Sequence, residues 1–128
     1  MKRDDMRTPL ARAIGLGSAK SGVHHWWMQR VSAIALVPLT VWFIAAIIAH
    51  TGADYTAFVA WMRNPITDIL MGLLLIALFY HAALGLQVIV EDYVHSGAKF
   101  AAMIAVRFAC FTLGAAGILA TLRMAAGS

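Results

Sequence analysis

The sequence predicts an all-α membrane protein: three transmembrane helices, N-terminus inside, forming one helix layer of a larger bundle. Three observations carry this. First, 62% of the 128 residues are hydrophobic and 12% are charged, whereas a soluble domain is about half apolar and a quarter charged. A chain this short has too little interior to hide that much apolar surface from water. Second, three long stretches are nearly free of charge. Third, lysine and arginine gather on one side of those stretches.

Residues 1–22 are small, polar and basic, with Lys2, Arg3, Arg7, Arg12 and Lys20. No apolar core with a cleavage site follows closely enough for a signal peptide. Asp4 and Asp5 argue against a mitochondrial presequence. The expectation is a flexible arm over 1–22 ahead of an anchor domain over 23–128, with spans near 27–50, 66–91 and 100–122.

Val31 to Ala53 is charge-free for 23 residues, enough to cross about 30 Å of hydrocarbon at about 1.5 Å per residue. Pro38 lies inside and should bend the helix modestly. Tyr55, Phe58, Val59 and Met62 then recur at i, i+3, i+4 and i+7, the pattern of a short amphipathic helix on the outer surface. Asn64-Pro65 and Asp68 mark the start of a second span, whose charge-free run, Ile69 to Val90, is 22 residues long. The third span, Phe100 to Leu122, carries Arg107 in its second turn, placed to snorkel. Its charge-free part, Phe108 to Leu122, is 15 residues, the shortest of the three.

Three spans put the N-terminal arm and the second loop on one side. Those segments hold eight of the ten lysines and arginines; Arg63 and Arg123 lie on the other side. The excess places the N-terminus inside. Trp26 and Trp27 then mark the inner interface and Trp61 the outer one. The net charge of +4 is read as this topology signal and not as a nucleic-acid surface. One cysteine, Cys110, excludes an internal disulfide and a cysteine metal cluster, and it reads as packing.

His81 stands out. It lies 12 residues past Ile69, roughly 18 Å into the second span, where an ionisable group is costly. Two readings are open: a neutral histidine hydrogen-bonded to a neighbouring helix, or an axial haem ligand, a common use of neutral imidazole. Leu84, Gly85 and Val88 share its helix face. Gly85 leaves room for a flat macrocycle or for close helix packing. Asp92 points about 20° from His81 and lies roughly 16 Å further toward the inner surface, and Tyr93 follows it. His50 lies at the outer end of span one, and His24, His25 and His95 lie on the inner side. A second axial ligand would therefore come from another polypeptide.

The pattern His81-Ala82, Gly85, Asp92-Tyr93 resembles the D-type hydrophobic membrane anchor subunit of succinate dehydrogenase, respiratory complex II. So does the entry into the first helix, Ser21-Gly22-Val23-His24-His25-Trp26-Trp27-Met28-Gln29-Arg30-Val31-Ser32-Ala33. The absence of a His-Arg pair here separates it from the companion C-type anchor. The resemblance implies that His81 ligates a haem b shared with a C-type cytochrome b subunit. It implies that Tyr93 hydrogen-bonds ubiquinone, the substrate, and that Asp92 holds a neighbouring arginine network. Arg30 is then either a haem-propionate partner or a positive-inside anchor, and His24 is open between the same two roles.

The further partners implied are an iron–sulfur subunit, a flavoprotein subunit and the lipid of a bacterial inner membrane. The chain has no glycine-rich dinucleotide motif and no cysteine cluster, so flavin and iron–sulfur chemistry belong to those other chains. It would be a subunit of the oxidoreductase with no independent activity. The competing readings are a quinol:fumarate reductase anchor, a cofactor-free scaffold or assembly protein, and a small b-type cytochrome acting alone.

Overall fold

The computed structural model describes residues 19–127. The arm expected over 1–22 lies outside the described residues except for its last four, which already belong to the first helix. The described residues form four helices and no strand: α1 Ala19–Ala49, α2 Tyr55–Met62, α3 Pro65–Tyr93 and α4 Gly97–Ala126. The all-α fold class is borne out. Three of the helices, α1, α3 and α4, are long and apolar enough to cross a membrane. That includes the third, which extends to 30 residues despite Arg107.

Local chemistry sets the helix boundaries. Asp54 caps α2, its carboxylate accepting from the Ala57 N–H at 2.8 Å. Asn64 caps α3 by accepting from the Ile66 N–H at 2.9 Å, with Pro65 in the first turn, where its missing N–H costs nothing. α1 runs unbroken past Pro38, although that residue cannot donate to the Ile34 carbonyl. At the far end of α4, Gly127 adopts φ +80, and its N–H returns to the Arg123 and Met124 carbonyls. A Cβ there would lie 2.7 Å from Arg63 Nη2. Arg63 Nε also donates to the Met124 carbonyl at 3.4 Å, so the α2–α3 corner is tied to the end of α4.

α3 is the middle helix. It packs on α1 along one side and on α4 along the other, and α1 and α4 do not meet among the described residues. The seam between α3 and α4 is made of small residues. Cys110, Gly114 and Thr121 are buried. With Gly117 they follow i, i+4, i+7 and i+11 along one face. A Cβ on Gly117 would approach the Leu75 side chain to 3.2 Å, and one on Gly114 would approach Phe79 to 3.4 Å. Small residues let helices come this close where lipid gives no hydrophobic drive.

α2 behaves as its pattern predicts at three of four positions. Met62 is buried, Phe58 and Val59 are half-buried, and Tyr55 is exposed. Trp61 stacks on His50 at 4.5 Å between ring centres. His50 Nδ1 also lies 2.8 Å from the Ala46 carbonyl, to which it donates. These contacts account for His50 at the end of the layer remote from the N-terminus of α1.

Candidate functional site

His81 faces α1, and α1 meets it with polar side chains. Its Nδ1 lies 2.9 Å from the Ser32 hydroxyl oxygen, and its Nε2 lies 3.5 Å from the Gln29 amide nitrogen. Ser32 also donates to the Gln29 carbonyl at 3.0 Å, one turn back along its own helix. A hydroxyl has one hydrogen to give. With that hydrogen on the Gln29 carbonyl, the Ser32 oxygen accepts from Nδ1–H, and Nε2 keeps its lone pair. The Gln29 contact to Nε2 is long for a hydrogen bond.

His25, Gln29 and Ser32 are spaced i, i+4 and i+7, so they share one face of α1. His25 Nε2 and Gln29 Oε1 are buried with no hydrogen-bond partner. Buried polar atoms are rarely left so, and this face of α1 holds two of them. Gly85 belongs to the same seam: a Cβ there would meet only the Gln29 amide nitrogen, at 3.7 Å.

Helix register places the remaining candidates. From the Ser32–His81 contact, α1 extends 13 residues to Ala19 and α3 extends 12 to Tyr93, so the two helices end at similar heights. Arg30 is therefore within a turn of His81's level and well inside α1. Its guanidinium lies over the Trp26 ring at 4.9 Å, a cation–π contact directed back along the helix. His24 is exposed in the first turns of α1, and Asp92 is exposed near the end of α3. Tyr93, the last residue of α3, is 79% exposed. It lies about 18 Å along the helix from His81, so the structure brings His81 together with α1 but not with Asp92 or Tyr93.

Glu91 is joined to α4 through Gln87. Arg107 donates to the Gln87 side-chain oxygen at 3.0 Å, and the Gln87 amide donates to Glu91 at 2.9 Å. Arg107 is thus tied to α3 as well as placed to snorkel. Sequence reasoning also missed Ser32 and Gln29 as partners of His81, and His25 as a third polar residue on their face of α1. Their signal was available in the 25, 29, 32 spacing, which marks a single helix face. Among the described residues, no three His, Cys, Asp or Glu side chains form a metal-holding group.

Residues 4–114 match the profile of the succinate dehydrogenase/fumarate reductase transmembrane subunit family. The chain belongs to that family. A succinate dehydrogenase hydrophobic membrane anchor subunit of Paracoccus denitrificans is 31% identical over 121 residues, 94% of each chain. One from Rickettsia bellii is 39% identical over 90 residues, 70% of this chain and 72% of that one. The succinate dehydrogenase membrane anchor subunit of Reclinomonas americana is 34% identical over 79 residues, 59% of this chain and 66% of that one. No solved structure gives a significant match. The resemblance read from two short stretches therefore holds along most of the sequence. With three helices able to cross, this family member is a multi-pass membrane protein.

Proposed function

We propose that this chain is the membrane anchor subunit of a succinate:quinone oxidoreductase. In this reading His81 supplies one axial ligand to a haem b shared with a C-type cytochrome b anchor subunit, while Tyr93 and Asp92 contribute to the ubiquinone-reduction site. The observation that carries it is the Ser32–His81 hydrogen bond at 2.9 Å. It uses Nδ1 and leaves the Nε2 lone pair with only the long 3.5 Å contact to the Gln29 amide nitrogen, an arrangement that suits a metal-ligating histidine. The two unpartnered polar atoms on the same seam, His25 Nε2 and Gln29 Oε1, fit a site that awaits a further polar group. When bound, haem b supplies a one-electron site inside the bilayer. Arg30, within a turn of His81, is positioned to meet a propionate or to anchor the inner leaflet, and His24 lies further toward the inner end.

At the inner end of α3, the Tyr93 ring can stay in the apolar layer while its hydroxyl donates to a quinone oxygen. That oxygen becomes more basic as the quinone is reduced, so the hydrogen bond strengthens when it is needed. Asp92 beside it requires a cationic partner if it is covered in the complex, and we assign that partner to another subunit. In this reading the N-terminus lies on the inner side of a bacterial inner membrane, so this end of α3 faces the flavoprotein and iron–sulfur subunits. A reporter fused after Ser128 then reads outside, and one in the 96–99 loop reads inside.

A second reading is favoured by the orphaned Gln29 Oε1. With the amide turned over, that oxygen would accept from Nε2–H, Ser32 would donate to Nδ1, and His81 would only pin α1 to α3 in a cofactor-free scaffold. The test is a reduced-minus-oxidised spectrum of the complex purified with its partner subunits, for wild type and His81→Leu. The expected result is a b-type spectrum in wild type that the variant loses while its helices still insert. No haem in the wild type favours the scaffold. An unchanged low-spin spectrum in the variant removes His81 as ligand.

A further inference from the structure

We propose that Ser32 is the positioning residue for His81, fixing the imidazole tautomer and setting the electron density of the ligating nitrogen. The inference rests on the reading of His81 as a haem ligand. Ser32 is 6% exposed, inside the α1–α3 seam, and its hydroxyl is held at both sides: 3.0 Å from the Gln29 carbonyl and 2.9 Å from His81 Nδ1. Donation to the carbonyl fixes the direction of the second bond, so Nδ1–H donates to Ser32. With the Gln29 amide in this orientation, the opposite tautomer would set Nε2–H against the amide nitrogen, donor against donor, at 3.5 Å.

Two consequences follow. The ring is prevented from turning about its χ2 axis, so Nε2 points in one direction before any iron arrives. An acceptor on Nδ1–H also draws that proton away from the ring and makes Nε2 a stronger donor, which favours the ferric state. Ser32 therefore keeps the haem potential low. The hydroxyl touches no reacting atom and acts only through His81.

The experiment is a redox titration of haem absorbance in the purified complex for wild type, Ser32→Ala, Ser32→Thr and His81→Leu. Ser32→Ala should raise the midpoint potential. The expected size is on the order of a tenfold change in the ferric-to-ferrous ratio, about 59 mV for one electron. Ser32→Thr retains a hydroxyl that can bond back to the preceding turn, so it should return the potential close to wild type. If the alanine complex does not accumulate, Ser32→Cys keeps the size and offers only a weak acceptor; its potential should rise in the same way.

An unshifted potential in Ser32→Ala or Ser32→Cys overturns the proposal and leaves Ser32 as a helix pin. Equal shifts in the alanine and threonine variants also overturn it, because they track packing and not the hydroxyl. The His81→Leu arm separates the two levels of the argument. Retention of low-spin haem there defeats the ligand reading itself, whereas haem loss there with no Ser32 effect defeats only the present inference.

Discussion

The two sides of α3 are built on different principles. Toward α4 it meets Cys110, Gly114, Gly117 and Thr121, a face of small residues that lets Leu75 and Phe79 lie close to the opposing backbone. Toward α1 its His81 meets Ser32 and Gln29, on a polar helix face shared with His25, and two polar atoms of that face have no hydrogen-bond partner. The first seam is complete within the chain. Close packing holds it, and its buried hydroxyl, Thr121, donates to the Gly117 carbonyl at 2.8 Å. The second is unfinished: it holds a ring nitrogen in one orientation and leaves two buried polar atoms without partners. A cofactor that must be held in a fixed geometry needs both, a rigid support on one side of its helix and a chemically open face on the other.

The largest expected effect comes from breaking the open seam. If His81 is the haem ligand, His81→Leu should abolish haem binding outright, and it should strand the Ser32 and Gln29 side chains against a hydrocarbon. Insertion should survive because leucine is welcome in lipid. The readouts are haem per complex and the amount of chain in the membrane; normal haem would remove the distinction between the seams. Gly117→Leu breaks the closed seam instead. A Cβ alone would already stand 3.2 Å from Leu75, so a full leucine must push α4 away. Overpacking of this kind costs about 3 kcal/mol, measurable as a fall in the thermal midpoint of the complex. An unchanged midpoint would mean that the α3–α4 contact is not close in the membrane.

Much of this division was legible in the sequence, but only by element. The helix Tyr55–Met62 followed from four apolar residues at helical spacing. The start of α3 followed from Asn64-Pro65, because capping and proline chemistry are local. The third span looked short because Arg107 interrupts the charge-free run; its hydrogen bond to Gln87 is a contact across 20 residues that no local pattern reveals. The register of α1 on α3 was the main thing hidden. Charge-free runs would be centred together in a bilayer, yet Ser32, second in its run, meets His81, thirteenth in its own. The helix ends align and the charges do not, which is why Arg30 lies near the level of His81 and not at the end of α1. The partners of His81 were hidden for the same reason, since a side chain's partner on another helix is set by tertiary packing.

Tyr93→Phe sharpens the comparison by lying outside both seams. The residue is 79% exposed at the last position of α3, so loss of its hydroxyl should disturb neither α1 nor α4. If that hydroxyl donates to the quinone, its removal should cost on the order of 1–3 kcal/mol, or about 5- to 150-fold in quinone reduction. Succinate oxidation with an artificial acceptor that takes electrons from the soluble subunits should stay near wild type. The measurement is the ratio of the two activities at equal complex content. An unchanged ratio would reduce Tyr93 to an interfacial anchor.

The smallest expected effect separates two uses of a glycine on the open seam. Gly85 lies one turn from His81, and its sequence context allowed either room for a macrocycle or close helix packing. The surroundings of Gly117 and Gly85 differ: an added Cβ meets Leu75 at 3.2 Å in the first case and only the Gln29 amide at 3.7 Å in the second. The second distance is ordinary van der Waals contact. Gly85→Ala should therefore leave the α1–α3 seam in place, with a stability change within about 0.5 kcal/mol. Because the methyl group points at Gln29 and that side chain can adjust, haem content should also stay at the wild-type level. A fall in haem with an unchanged thermal midpoint would show instead that the macrocycle lies directly against this glycine. A fall in both would show that α1 approaches α3 more closely in the membrane than the 3.7 Å contact implies.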